Sequence, residues 1–255
     1  MNTAPAAARV RFPSGLVQPA GSFRFSLDAL LLASFSASFI PGYGKSVSLL
    51  DLGCGCGVIG LACLLERENA FALGADREPE LIEAAMENAT LLGLEDRYTA
   101  VRCDLGNQAE RARITKEGVD IVCANMPYRP EKSGRLPRSL MRRRALFADE
   151  TTVPAFLAAA KAALKPEGVF TVIYPWIGRE ELFAELEGYG FFMHTVLPVC
   201  TANGEKTFCL AAASLEEAHG KPPGKLSGRT LPPLMLRGEA GGAYTREALS
   251  FCRWL

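Results

Sequence analysis

The chain has 255 residues, 49% of them apolar and 22% charged, with 28 basic and 28 acidic residues and so a formal net charge of zero. Those values suit a globular protein that buries a core without disulfides or metal, and they exclude a disordered polypeptide or one that coats nucleic acid by bulk charge. The longest apolar stretch, around residues 29–40, is broken by serines and too short for a bilayer, and the N-terminus lacks the apolar segment of a signal peptide.

The first 25 residues read as an arm or short hairpin. From Ser26 the run SLDALLLASFSASF places apolar residues at helical spacing, with Ser26 or Asp28 as its cap and Pro41-Gly42 as its stop. An alternation of strands and helices follows, the pattern of an α/β fold. Strands are expected at 46–52, 71–76, 98–104, 120–124 and 169–174, with helices at 58–66, 79–92, 153–164 and 180–187. Two further strands, 191–199 and 207–212, have no long crossover between them and are expected to be antiparallel. The expected fold is a Rossmann-like, doubly wound, mostly parallel seven-stranded sheet with an antiparallel last strand. One catalytic domain covers 26–215. Residues 216–255 form a Gly/Pro-rich excursion and a C-terminal segment, with Thr245 as a helix cap, docking on the same domain. The segment Arg129–Arg144 shows no period and carries seven basic residues against one acid.

The cysteines, at 54, 56, 63, 103, 123, 200, 209 and 252, form no CxxC pair, and there are only two histidines. They read as reduced, buried thiols in a cytoplasmic protein with no metal centre. Trp176 reads as packing.

The strongest signal is Asp51-Leu-Gly53-Cys54-Gly55-Cys-Gly57-Val-Ile-Gly60. A buried strand leads into a turn where glycines let the backbone approach a ligand, and the next helix presents free N–H groups. From Gly55 the letters also spell the dinucleotide fingerprint G-x-G-x-x-G, which leaves a nicotinamide-dependent dehydrogenase open. Three carboxylates narrow the choice. Asp51 suits a cationic amine better than a pyrophosphate, Asp76 ends the second strand where an acid bridges ribose hydroxyls, and Asp104 ends the third where it accepts from an adenine amine.

This arrangement resembles the class I S-adenosylmethionine-dependent methyltransferases over roughly 46–213. The resemblance implies that Gly53, Gly55 and Gly57 wrap the methionine part of S-adenosyl-L-methionine. Asp76 would hold its ribose, and Asp104 with Leu105 its adenine. Asp51, Cys54, Arg77 and Asn125 complete the cofactor set.

After the fourth strand comes Asn125-Met126-Pro127-Tyr128, similar to the Asn-Pro-Pro-Tyr motif of enzymes that methylate planar amino or amide nitrogens. An exocyclic adenine amine is conjugated to its ring and is a poor nucleophile. The Asn125 side chain and the Met126 backbone C=O can accept its two hydrogens and draw the nitrogen towards tetrahedral geometry. Tyr128 can stack on the base, and transfer then follows mainly from positioning. Met126 departs from the motif, while Pro127 still holds Met126 extended. A target base must be unpaired or flipped out, and Arg129, Lys132, Arg135, Arg138, Arg142, Arg143 and Arg144 are candidates to grip its flanking phosphates.

Longer matches, Phe23-Arg-Phe25-Ser26-Leu-Asp28-Ala-Leu-Leu-Leu-Ala33, Tyr128-Arg-Pro-x-x-Ser133-Gly-Arg135 and Leu231-Pro-Pro-Leu, resemble the bacterial tRNA adenine-N6 methyltransferases, which act on adenosine 37. The resemblance implies that Phe25, Ser26 and Asp28 help cover the cofactor and that tRNA, or another structured RNA with an exposed adenosine, is the partner. Phe147-Ala148-Asp149-Glu150 departs from that group's more basic stretch. Protein glutamine-N5 methylation, guanine-N2 methylation and a non-catalytic RNA-binding relative are the alternatives.

Overall fold

The computed structural model describes residues 3–130, 137–215, 228–238 and 242–255. In sequence order the elements are α1 (Thr3–Arg11), α2 (Leu27–Ala37), β1 (Val47–Leu52), α3 (Val58–Glu66), β2 (Ala70–Asp76), α4 (Pro79–Leu91), β3 (Tyr98–Arg102), α5 (Gln108–Ile114) and β4 (Val119–Ala124). The second half holds β5 (Arg129–Pro130), α6 (Leu140–Leu146), β6 (Phe147–Ala148), α7 (Thr152–Ala163), β7 (Leu164–Pro175), α8 (Arg179–Gly188), β8 (Phe191–Cys200), β9 (Lys206–Leu215), β10 (Arg229–Thr230), β11 (Leu234–Met235) and α9 (Arg246–Phe251).

The main sheet runs β3–β2–β1–β4–β7–β9–β8. Strands β3 to β7 in that order pair parallel, and β9 is antiparallel to both β7 and β8. The seven expected strands are present, and two-residue strands β10 and β11 extend the edge by pairing parallel with β8. After β1 the polypeptide winds outward through β2 and β3, then returns to place β4 on the other side of β1. That reversal opens a crevice beyond the C-terminal ends of β1 and β4, where doubly wound sheets take their ligands.

Strand residues alternate between two cores. Leu49, Ile121 and Cys123 face a cluster shared with α1, α2, α3, α4 and α9, while Leu50, Leu52, Val122 and Ala124 face one shared with α5, α7 and α8. The eight cysteines are buried and unbridged.

Several expectations need correction. The N-terminal arm or hairpin contains a helix, α1, which docks on the end of α4: Arg9 donates to Leu92 O and Gly93 O at 2.7 and 2.9 Å. The supposedly aperiodic basic segment contains α6, and α5 falls where the sequence predicts no element. The fifth strand, expected at 169–174, begins at Leu164 and takes in Pro166-Glu167-Gly168, at an irregularity where the pairing steps from Val119↔Leu164 to Ile121↔Val169. The third strand ends at Arg102, which leaves Asp104 in the following loop. Of the late excursion, 229–230 is strand rather than loop, and 216–227 lies outside the described residues. Thr245 does cap α9, accepting from Ala248 N at 3.0 Å.

Candidate active site

The turn after β1 is built on backbone bonds. Gly53 N and Cys54 N both donate to Ala75 O, at 2.8 and 3.1 Å, and Gly57 N donates to Cys54 O at 2.9 Å. Gly53, Gly55 and Gly57 adopt φ of +70°, +56° and +84°, values that disfavour any side chain with a Cβ. The three differ in what lies beyond them. A Cβ on Gly57 would stand 2.7 Å from Tyr98 Oη, and one on Gly53 3.1 Å from the Phe156 ring, whereas one on Gly55 would meet nothing within 4 Å. Gly55 therefore faces open space, and the turn presents bare backbone to a cavity of about 350 Å³.

Asp76 holds that turn from the next strand. Its Oδ2 accepts from Gly55 N at 3.0 Å and its Oδ1 from Glu78 N at 3.0 Å. Burial raises its carboxyl above the usual range, against the pull of those two N–H groups. Asp104 lines the same cavity with Leu105, its Oδ1 accepting from Gly106 N at 2.9 Å. Cys54, Arg77 and Glu78 are also on the wall. The Cys54 and Cys56 thiols are pushed up by burial, Cys56 to about 11, so both stay protonated at neutral pH.

Asp51 is not on that wall. It shares the face of Leu49, two residues earlier on β1, and so points beneath the turn, where it is fully buried and its Oδ2 accepts from Gly60 N at 3.1 Å. Burial lifts its carboxyl from 3.8 to about 7, and the Cys123 thiol lies beside it. Gly57 and Ser26 are likewise absent from the cavity lining: Gly57 caps α3 from behind, and Ser26 is exposed with its hydroxyl on Asp28 Oδ1. Ser26 occupies the N-cap position of α2, but its hydroxyl makes no capping bond to the helix.

The tetrapeptide lies at the end of the neighbouring strand, since Ala124 pairs with Leu52. Residues 125–128 leave the ladder directly after β4, and all four line the cavity. The Met126 side chain is buried in the core on the α7 side. Tyr128 is half-buried, with ring centroids 6.2 Å from Tyr174 and 6.3 Å from Phe208, both edge-on. Asn125 Nδ2 donates to Asp28 Oδ2 at 3.4 Å, and Asp28, in the first turn of α2, is buried.

Part of the basic segment covers the cavity. On α6, Met141, Arg144, Ala145 and Leu146 line it. Arg144 Nη1 pairs with Glu78 Oε1 at 2.9 Å, and Ser139 Oγ donates to Gly21 O at 2.6 Å, tying α6 to the segment that precedes α2. Arg144, expected as a phosphate contact, lines the cavity and is paired with an acid. Arg129, Arg138 and Arg142 are exposed, Arg143 is half-buried, and Lys132 and Arg135 lie outside the described residues.

Several wall residues escape sequence reasoning. Phe156 sits in α7, far along the sequence from the turn it touches, and nothing in the sequence marks it. Glu78 stands two residues after Asp76 and is open to the same strand-end reasoning. Asp149, Thr151 and Thr152 form a closed cap at the rim, with both threonine hydroxyls donating to Asp149 Oδ1 at 2.7 and 2.8 Å. Those bonds hold the Asp149 carboxyl below its usual range. Among the described residues no cluster of His, Cys, Asp and Glu fits a metal ion, and no helix is long and apolar enough to cross a membrane.

A family model for a methyltransferase domain matches residues 44–203. The chain is 26% identical over 229 residues to the tRNA1(Val) (adenine(37)-N6)-methyltransferase of Photorhabdus laumondii subsp. laumondii, covering 89% of this chain and 85% of that protein. It is 38% identical over 103 residues to the release factor glutamine methyltransferase of Rhodospirillum rubrum, covering 40% of this chain and 29% of that one. Several curated relatives are matched over only 27 to 29% of their own length. Among solved structures, a predicted O-methyltransferase, protein Atu636 from Agrobacterium tumefaciens, superposes with a TM-score of 0.66 at 18% identity, covering 88% of this chain and 95% of that one. This last likeness is one of fold.

Proposed function

Since the chain belongs to the methyltransferase domain family and is of the class I, S-adenosylmethionine-dependent kind, we propose that it methylates the exocyclic N6 amine of an adenosine in RNA, with adenosine 37 of a tRNA as the target. The observation that carries this reading is that Asn125-Met126-Pro127-Tyr128 lines the same cavity as the glycine turn, leaving β4 beside the end of its paired strand β1. The near full-length match to a tRNA adenine-N6 methyltransferase supports the choice of substrate.

The residues present fit the cofactor. Gly55 offers a backbone surface that a Cβ would fill, Asp76 lines the cavity with its carboxylate held by two backbone N–H groups and is our candidate for the ribose, and Asp104 with Leu105 lines the same cavity. The acids Asp76, Glu78, Asp104 and Asp149 outnumber the basic residues Arg77 and Arg144 on the wall, which suits a ligand with a cationic sulfur. When bound, S-adenosylmethionine supplies a methyl group on a sulfonium that keeps the bonding electron pair as the methyl departs.

The protein's part is to position the amine. Asn125 Oδ1 and the Met126 C=O accept its two hydrogens, and Tyr128 holds the base plane. The nitrogen lone pair is thereby turned out of conjugation towards the methyl carbon, and the surplus proton passes to solvent after transfer. No strong base is required. Exposed Arg129, Arg138 and Arg142, with Arg143, Lys132 and Arg135, grip phosphates flanking the target.

The test is transfer of tritium from labelled S-adenosylmethionine to unmodified tRNA, ribosomal RNA and a release-factor glutamine peptide, followed by nucleoside or residue analysis. N6-methyladenosine in tRNA is the expected product. Label confined to guanine N2 or to glutamine moves the substrate and keeps the site; the segment 38% identical to a glutamine methyltransferase gives that second outcome its weight.

A further inference from the structure

The Asn125 side-chain amide has two unlike ends, and only one can accept a hydrogen from the substrate. If its NH2 faced the substrate amine, two donors would meet and the lone pair would not be turned. Something must therefore set the amide's orientation. The fold brings one acidic side chain to it: Asp28, from the first turn of α2, with Oδ2 3.4 Å from Asn125 Nδ2.

The chemistry of that contact has one sign. An ionised carboxylate has acceptors and no donor, so the amide must turn its NH2 towards Asp28. Oδ1 then points away. Asp28 is itself held, because Ser26 Oγ donates to its other oxygen, Oδ1, and its side chain is buried at 6% exposure. Both carboxylate oxygens are thus engaged, one by the strap preceding α2 and one by the tetrapeptide. Tyr128 lies within the field of the same carboxylate.

We propose that Asp28 is a positioning residue, which fixes the Asn125 amide with Oδ1 as the acceptor and so selects a substrate nitrogen that donates. This rests on the nitrogen-methylating reading above. Ser26 gains a role from it: absent from the cavity lining, it anchors the carboxylate that orients the amide. A buried negative charge behind the amide has a second effect. It polarises Asn125 so that Oδ1 is a stronger acceptor while positive charge grows on the attacking nitrogen.

Asp28→Asn separates this role from cofactor contact. The amide it introduces both donates and accepts, so it permits either orientation of Asn125 and removes the charge. The expected result is a fall in single-turnover transfer of about 10- to 100-fold, the size associated with losing a charge-assisted hydrogen bond. KM for S-adenosylmethionine should stay within about threefold, a split that marks loss of an effect on the transition state. Asp28→Glu, which keeps a carboxylate acceptor, should recover part of the rate. In the ligand-free protein, the side-chain NH2 resonances of 15N-labelled Asn125 should shift in Asp28→Asn and stay near their wild-type positions in Asp28→Glu. Transfer within about twofold of wild type, a rise in KM at unchanged kcat, or Asn125 resonances unmoved by Asp28→Asn would each overturn the proposal. If the wild-type protein labels neither RNA nor glutamine peptide, the nitrogen-methylating reading itself fails. An active wild type with an equally active Asp28→Asn variant removes the inference alone.

Discussion

The floor and the cover of the cavity are built by different means. The floor, at the ends of β1 and β2, rests mainly on backbone bonds, Gly53 and Cys54 on Ala75 and Gly57 on Cys54, with the buried Asp76 carboxylate accepting from Gly55 N. The cover, from the segment before α2 and from α6, is held by side chains: Ser139 on Gly21 and Arg144 on Glu78. Backbone bonds in a buried turn cannot be given up without leaving polar groups unpaired, whereas an exposed ion pair contributes little and exchanges readily with water. A cavity with a rigid floor and a lightly held cover can fix a ligand's orientation and still admit it.

The sharpest way to break the comparison lies within the floor. Gly57 and Gly55 share a positive φ, so alanine is strained at both. Only at Gly57 does the new Cβ enter the core, against Tyr98, Ala85 and Leu61. Gly57→Ala should lose about 3 to 5 kcal/mol of stability, from backbone strain plus overpacking. Gly55→Ala should lose about 1 to 2 kcal/mol, from strain alone, yet lose most of its affinity for S-adenosylmethionine. Urea unfolding and calorimetry on the pair test this. Equal stability losses, or unimpaired binding by Gly55→Ala, would place the ligand elsewhere.

Next in size is the carboxyl beneath the turn. Asp51 binds its proton more tightly in the folded protein, at about 7, than at its ordinary 3.8. Below about pH 4 it is protonated in both states and costs nothing on this account. Between about pH 4 and 7 the unfolded protein gains from ionising while the folded one does not, so stability falls as pH rises and levels off above 7. The interval corresponds to about 4 kcal/mol. Asp51→Asn keeps an acceptor for Gly60 N and lacks that slope, so its stability relative to wild type should rise between about pH 4 and 8. Parallel pH profiles would show that Asp51 ionises freely.

Asp76→Ala removes a floor residue without entering the core, and should weaken cofactor binding by about 1 to 3 kcal/mol through the lost hydrogen bonds to ribose and turn. Unchanged affinity by calorimetry would take Asp76 out of the binding set. The smallest effect belongs to the cover. Arg144→Gln breaks a pair that is 44% exposed on the arginine side, and should change cofactor affinity by less than about 1 kcal/mol. A larger loss would mean that Arg144 itself contacts the ligand.

The floor is also the part legible in the sequence. A strand ending in spaced glycines, with acids at the next strand ends, is a local pattern, and α3 begins and ends where the apolar run predicts. Asp51 is the exception, because its position at a strand end is visible in the sequence and the face it points to is not. The alternation of Leu49 and Leu50 between two cores settles that, and both are leucine. The cover is illegible for another reason. Helix α6 has seven residues, three of them consecutive arginines, and its stabilising contacts, to Gly21 and Glu78, are 118 and 66 residues away. Charge counting treats its arginines alike, although Arg144 lines the cavity and pairs with Glu78 while Arg142 is exposed. Helix α1 escapes notice because Ala-rich segments show little amphipathic period, and its partners lie at the end of α4.

The central claim is that Asn125 accepts a hydrogen from a nucleophilic nitrogen. It is tested most directly by single-turnover transfer from labelled S-adenosylmethionine to unmodified tRNA, with wild type and Asn125→Ala compared at saturating cofactor. The expected result is N6-methyladenosine formed by the wild type and a rate about 10² to 10³ lower in the variant, with cofactor affinity within about threefold. An Asn125→Ala variant that methylates at the wild-type rate would contradict the account.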